Sequence, residues 1–176
     1  MTLAGPEFAR AEPLRLGRAG WSWALFQGGR DPYVILVTIY IFVPYLVTSV
    51  IGDPVRGQAL IASGAKYAGW AVAILAPLLG ATVDRMGPRK PWLAGAVALM
   101  IPLIALLWFA TPESEVLGVL TIIAITALIG LLFAMTQTLH NALLIPAAGM
   151  RGAGAASGLA LACGNFVSVT LLAFSL

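Results

Sequence analysis

A chain of 176 residues that is 60% hydrophobic and only 10% charged, with a mean hydropathy of +0.96, is not a soluble globular domain, since such domains carry roughly 25% charged residues. The net charge of +3 and pI near 9.4 do not point to a nucleic-acid partner, because the cations gather at the ends of apolar segments. Cys163 is the single cysteine and His140 the single histidine, so no disulfide, metal cluster or nucleophile pair is spelled out, no cofactor is implied, and the first partner is the lipid bilayer.

Residues 1–20 hold Arg10, Arg15 and Arg18 with Glu7 and Glu12 and lack the apolar core of a cleavable signal peptide, so they read as a cytosolic tail. The remainder, 21–176, is the transmembrane unit. Five apolar segments follow, at 32–51, 59–82, 91–110, 116–137 and 154–176, each near the roughly 20 residues that a helix needs to cross a bilayer. None alternates as a barrel strand would. The fold class is therefore all-α, a polytopic transmembrane helix bundle whose short connections make neighbouring helices antiparallel.

At the first segment, Arg30 and Asp31 lie at membrane depth if the helix begins at Trp21. Alternatively, Asp31-Pro32 starts the helix, with Asp as cap, Pro in the first turn and Gly28-Gly29 breaking what precedes. The pair would then sit at the cytosolic mouth beside an aromatic belt of Trp21, Trp23 and Phe26. In the second segment Lys66 either snorkels to the outer surface or faces a cavity and meets an anionic group. It lies about 18 Å in depth from Asp31 at the helical rise, too far to pair with it. Gln137, His140 and Asn141 cluster near the cytosolic end of the fourth segment, as interfacial hydrogen-bonding groups or as a proton relay. Asn165 is deeper in the fifth, where an amide joins helices or touches solute. Small residues recur every four positions at Gly154, Gly158 and Ala162, at Ala156, Ala160 and Gly164, and at Ala65, Gly69 and Ala73, faces that allow close helix approach. The glycine-rich run Arg151–Gly158 lacks the Lys-Ser/Thr end of a phosphate loop.

With the N-terminus in the cytosol, Arg10, Arg15, Arg18, Arg85, Arg89, Lys90 and Arg151 fall on cytosolic segments and Arg56 on an outer turn, as the positive-inside rule expects of a cell or inner membrane protein. Between the second and third helices the chain reads Gly80-x-x-x-Asp84-Arg85-x-Gly87-x-Arg89-Lys90, which resembles the loop signature of the major facilitator superfamily, with Pro88 where an arginine is usual. Trp23-Ala24-Leu25-Phe26, Phe42-Val43-Pro44-Tyr45, DRMGPRKPWL, His140-Asn141-Ala142-Leu143-Leu144-Ile145-Pro146 and SGLALACGN resemble the branch of fungal vacuolar amino-acid effluxers and their bacterial relatives. Gln27–Asp31 departs from that branch, which tends to show an Asp and an Asn-Ser pair there.

The resemblance implies twelve helices in two similar halves with a small-molecule solute bound between them near the midplane. The loop motif would then be a conformational latch, formed and broken as the halves rock. The chain reads as the N-terminal part of such a transporter, its partner the missing C-terminal half. The fifth helix lacks the glycine-proline pattern of drug–proton antiporters. A non-transporting scaffold with the same fold fragment is the rival reading. An enzyme is not expected, because no carboxylate pair, His cluster or Ser/Cys-His arrangement lies at membrane depth.

Overall fold

The computed structural model describes residues 16–86, 88–112 and 117–175, apart from the side chains at 79 and 81–86. They form five helical rods, each long and apolar enough to cross a membrane: α1 (Arg18–Val50), α2 (Pro54–Met86), α3 (Arg89–Leu106), α4 (Val119–Asn141) and α5 (Leu144–Ser175). No strand occurs among the described residues.

The first rod begins at Arg18 and not at Asp31-Pro32. Its backbone is regular from Arg18 to Arg30 and continues through Asp31 (φ −63°, ψ −30°) and Pro32 (φ −52°, ψ −30°), with the Asp31 N–H still bonded to the Gln27 carbonyl at 2.9 Å. Pro32 and Pro44 each remove one donor from the ladder. Downstream of each the turns widen: Ile41 N–H bonds the Leu36 carbonyl at 2.8 Å and Ile51 N–H the Leu46 carbonyl at 2.9 Å, five residues back instead of four. Such π-type turns are uncommon and gather at functional sites.

The rod ends at Gly52, whose φ of +71° needs a residue without a Cβ. Asp53 then accepts the Arg56 backbone N–H at 3.0 Å, and Pro54 occupies the first helical position of α2, the preferred order for a helix start. This places the start of α2 five residues before the expected 59. The fifth rod also starts earlier than the expected 154, at Leu144, and is broken at Gly149 (φ +71°, ψ 166°).

The upstream part of α1 packs along α5, and α4 packs against both α2 and α3. Trp23 and Ala24 of α1 interlock with Ala156 and Ala160 of α5, and on α5 the buried face is Gly152, Ala156, Ala160, Gly164 and Ser168. Of the two small-residue series on this helix, then, the one through Ala156 is the packed one, whereas Gly154, Gly158 and Ala162 are exposed. A second core joins Leu46 of α1 to Met100 of α3, Leu107 and Ala110 beyond it, and Ile122, Ile129 and Leu132 of α4. Between helices in lipid, close van der Waals fit carries association. A Cβ on Gly64 of α2 would meet Ile123 of α4 at 3.0 Å, and one on Gly28 of α1 would meet Cys163 of α5 at 3.4 Å.

Candidate functional site: a buried charge network in the first helix

Arg30 and Asp31 are the thirteenth and fourteenth residues of the 33-residue α1, about 20 Å from its start at 1.5 Å per residue. Because the helix does not break at Gly28-Gly29, the pair lies inside the bundle, level with the last turns of α4, and not at the start of a helix. The Arg30 side chain is 5% exposed and that of Asp31 23%. A buried guanidinium at membrane depth requires a counter-charge, and Asp31 Oδ1 supplies it at 3.1 Å from Nη2.

The same Nη2 donates to Gln27 Oε1 at 3.0 Å and, across the helix interface, to Gln137 Oε1 of α4 at 2.6 Å. Gln27 Nε2 donates in turn to Asp31 Oδ2 at 2.8 Å. Gln27, Arg30 and Asp31 share one face because residues three and four apart are neighbours on a helix. The ring of Phe133, one turn before Gln137 on α4, lies under the guanidinium with its centroid 4.8 Å from Arg30 Cζ. Arg30 Nε and Nη1 are buried without a hydrogen-bond partner. A guanidinium carries five N–H donors, so three of them are unmatched, and each unmatched buried donor costs about 1–3 kcal/mol.

Phe133 also borders a cavity of about 420 Å³ between α1, α2 and α4, whose walls include Tyr33, Thr38, Gly64, Gly69 and Thr126. Ala65 and Gly69, two members of the small-residue series on α2, face this space. The walls are mainly apolar, and the hydroxyls of Tyr33, Thr38 and Thr126 are their polar features.

Of the other expected residues, His140 is buried and its ring makes no hydrogen bond to Arg30, Asp31, Gln27 or Gln137. Its ring stacks on Trp23 (centroids 4.3 Å apart, planes at 7°), and Trp23 Nε1 donates to the His140 carbonyl at 2.7 Å. The Phe26 ring also lies against it, tilted by 33° with centroids 4.8 Å apart. His140 Nε2 has no partner, and the ring borders a second cavity of about 390 Å³ with Ser22, Lys90 and Pro146. Lys66 is exposed, its Nζ 4.9 Å from the Tyr67 ring centroid. Asn141 and Asn165 are exposed as well. In the loop motif Gly80 is exposed, Arg89 Nη1 donates to the Ala142 carbonyl at 2.8 Å, and Lys90 is exposed at the second cavity. The Asp84 and Arg85 side chains and Gly87 lie outside the described residues. Among the described residues no group of three His, Cys, Asp or Glu is placed to hold a metal.

The structure thus brings Arg30, Asp31 and Gln137 together and adds Gln27, Phe133 and Gly164 of α5, where an added Cβ would stand 2.7 Å from Asp31 Oδ2. Gln27 had a signal in the sequence, its spacing from Arg30 and Asp31. Phe133 had none, being one aromatic residue in an apolar run. The family model described as Major Facilitator Superfamily matches residues 6–171 of the chain. No curated protein and no solved structure matches it.

Proposed function

The chain belongs to the major facilitator superfamily, and from that premise we propose that the Arg30–Asp31–Gln27–Gln137 network is the polar centre of its solute pathway. The protein is a multi-pass integral membrane protein of a secondary-transporter family, with a lipid bilayer and a small solute as its partners. The supporting observation is the network itself: a guanidinium buried between α1 and α4, with three donors unmatched. Charged groups inside a membrane bundle are costly, and they mark substrate or ion pathways.

The finer reading takes amino acids or related small metabolites as the solute, from the resemblance to the vacuolar amino-acid effluxers. Alternating access would move the solute between this helical unit and a second, C-terminal half, in a cell or inner membrane with the N-terminus in the cytosol. Gly80, Asp84, Arg85, Gly87, Arg89 and Lys90 would form the latch on the cytosolic side. No observation favours the scaffold alternative. The test is uptake of labelled amino acids into proteoliposomes containing the intact protein under imposed ion gradients. Arg30→Ala and Gln137→Ala are expected to lower uptake at least tenfold at equal reconstitution. Wild-type rates in both variants would remove the network from the pathway.

A further inference from the structure

We propose that the solute is a monoanion with an apolar body, its anionic head taken by the unmatched donors of Arg30 and its body by the cavity beyond Phe133. The inference rests on the transport reading for its setting and, of the amino acids and related small metabolites named there, favours the related monocarboxylates that carry no ammonium group.

Three observations carry it. First, the guanidinium is asymmetrically used. Nη2 alone meets Gln27, Asp31 and Gln137, so its two hydrogens already serve three acceptors. Nε and Nη1 have none, in a side chain that is 5% exposed. Water does not reach these donors, and among the described residues no acceptor stands in for it. An incoming anion offers what is missing, since charge-assisted bonds from a guanidinium to an oxyanion are among the strongest available. Second, three donors remain on a guanidinium whose charge is already met by one carboxylate. Arg30 and Asp31 neutralise each other, so the arriving group gains from the donors and not from a bare positive charge. A strong dianion would meet Asp31 at close range, which favours a single negative charge. Third, the neighbouring space is apolar. Phe133 is at once the floor under Arg30 Cζ and a wall of the 420 Å³ cavity lined by Tyr33, Val34, Ile61, Val72 and Ile123. The network's own members do not line that cavity, so the head group reaches Arg30 only when the Phe133 ring turns aside. An apolar body left behind in the cavity suits those walls, as ligand sites usually pair a mainly apolar lining with few polar anchors.

The test measures binding by calorimetry to the intact protein in nanodiscs, with 4-methylpentanoate and 3-phenylpropanoate against their uncharged amides. The carboxylates are expected to bind at least tenfold more tightly than the amides. Arg30→Gln should bring the two within about twofold by weakening only the carboxylate, and Arg30→Lys should restore part of the preference, since a point charge replaces the fork incompletely. Asp31→Asn gives the result that structural damage cannot mimic: with the anionic competitor gone, carboxylate affinity should rise severalfold. Equal binding of acid and amide by the wild-type protein, absence of binding by either, or an unchanged preference in Arg30→Gln would overturn the proposal. Uptake of uncharged solutes without carboxylate binding would leave transport standing and sink the anion class. Carboxylate binding without uptake of any solute would do the reverse.

Discussion

A methyl group added at Gly164 would stand 2.7 Å from Asp31 Oδ2 and 3.3 Å from its Cβ and Cγ. The carboxylate of α1 therefore rests directly on the backbone of α5, and glycine is required by proximity and not by φ. Asp31 has little freedom to retreat, because Oδ1 is held by Arg30 at 3.1 Å and Oδ2 by Gln27 at 2.8 Å. Gly164→Ala is expected to force the network apart or the helices outward, at a cost of about 1–3 kcal/mol for inserting a methylene where none fits, and to lower uptake with it. Gly158 lies on the same helix with nothing within 4 Å of an added Cβ. Gly158→Ala should be neutral or stabilising by up to about 1 kcal/mol through helix propensity alone. Unfolding midpoints of the two variants in detergent check the contrast, and equal midpoints would deny the contact between Asp31 and Gly164 its role. The sequence marked Gly164 as one of a small-residue series but held no sign of what it approaches, because that partner lies on a different helix 133 residues earlier in the chain.

The dipeptide Asp-Pro occurs at 31–32 and at 53–54; local reading admits the first as one of two starts for the first helix and leaves the second in the connection before a helix starting at 59. Only the second is a helix start. There Gly52 takes a positive φ and Asp53 caps α2 through the Arg56 N–H. At the first site the preceding glycines stay helical, since Gly28 is pressed against Cys163 of α5, and Asp31 turns to Arg30 and Gln27 instead. Packing against another element decided between two locally permitted states, which is why the number and type of helices were legible and the ends of α1, α2 and α5 were not. Gln137 was likewise visible as a polar residue in an apolar run, whereas its pairing with Arg30 depends on how α1 and α4 meet. Asp53→Ala should accordingly cost about 1 kcal/mol, the usual loss for a removed cap, while leaving uptake unchanged. Asp31→Ala should impair uptake. Gly149→Ala, at φ +71° and ψ 166°, should cost about 1–3 kcal/mol because that conformation is essentially reserved for glycine, and is read by the same unfolding midpoints. A fall in uptake caused by Asp53→Ala would show that the turn between α1 and α2 takes part in the cycle.

Across the whole bundle the contacts sort the helix ends into two sets. Arg89, at the start of α3, reaches the carbonyl of Ala142, the residue that closes α4; a cation there satisfies a free terminal carbonyl and suits the negative end of the helix dipole. An added Cβ on Gly152 of α5 would touch Leu16, just ahead of α1, at 3.4 Å. The start of α1, the start of α3 and the break in α5 thus share one end, which carries Arg18, Arg89, Lys90 and Arg151. The turn from α1 to α2 lies at the other end with Arg56 and Asp53. Positive charge flanking transmembrane helices is retained on the cytosolic side, so the first end should face the cytosol. In a Cys163→Ala background, a cysteine replacing Arg56 is expected to react with a membrane-impermeant thiol reagent in intact cells. A cysteine replacing Arg151, which is exposed, should react only after permeabilisation. Arg151 is the better probe than Arg89, because changing it leaves the Ala142 contact in place. Labelling of position 151 from outside, with position 56 protected, would invert the bundle in the membrane and place the cation-rich end on the outer face.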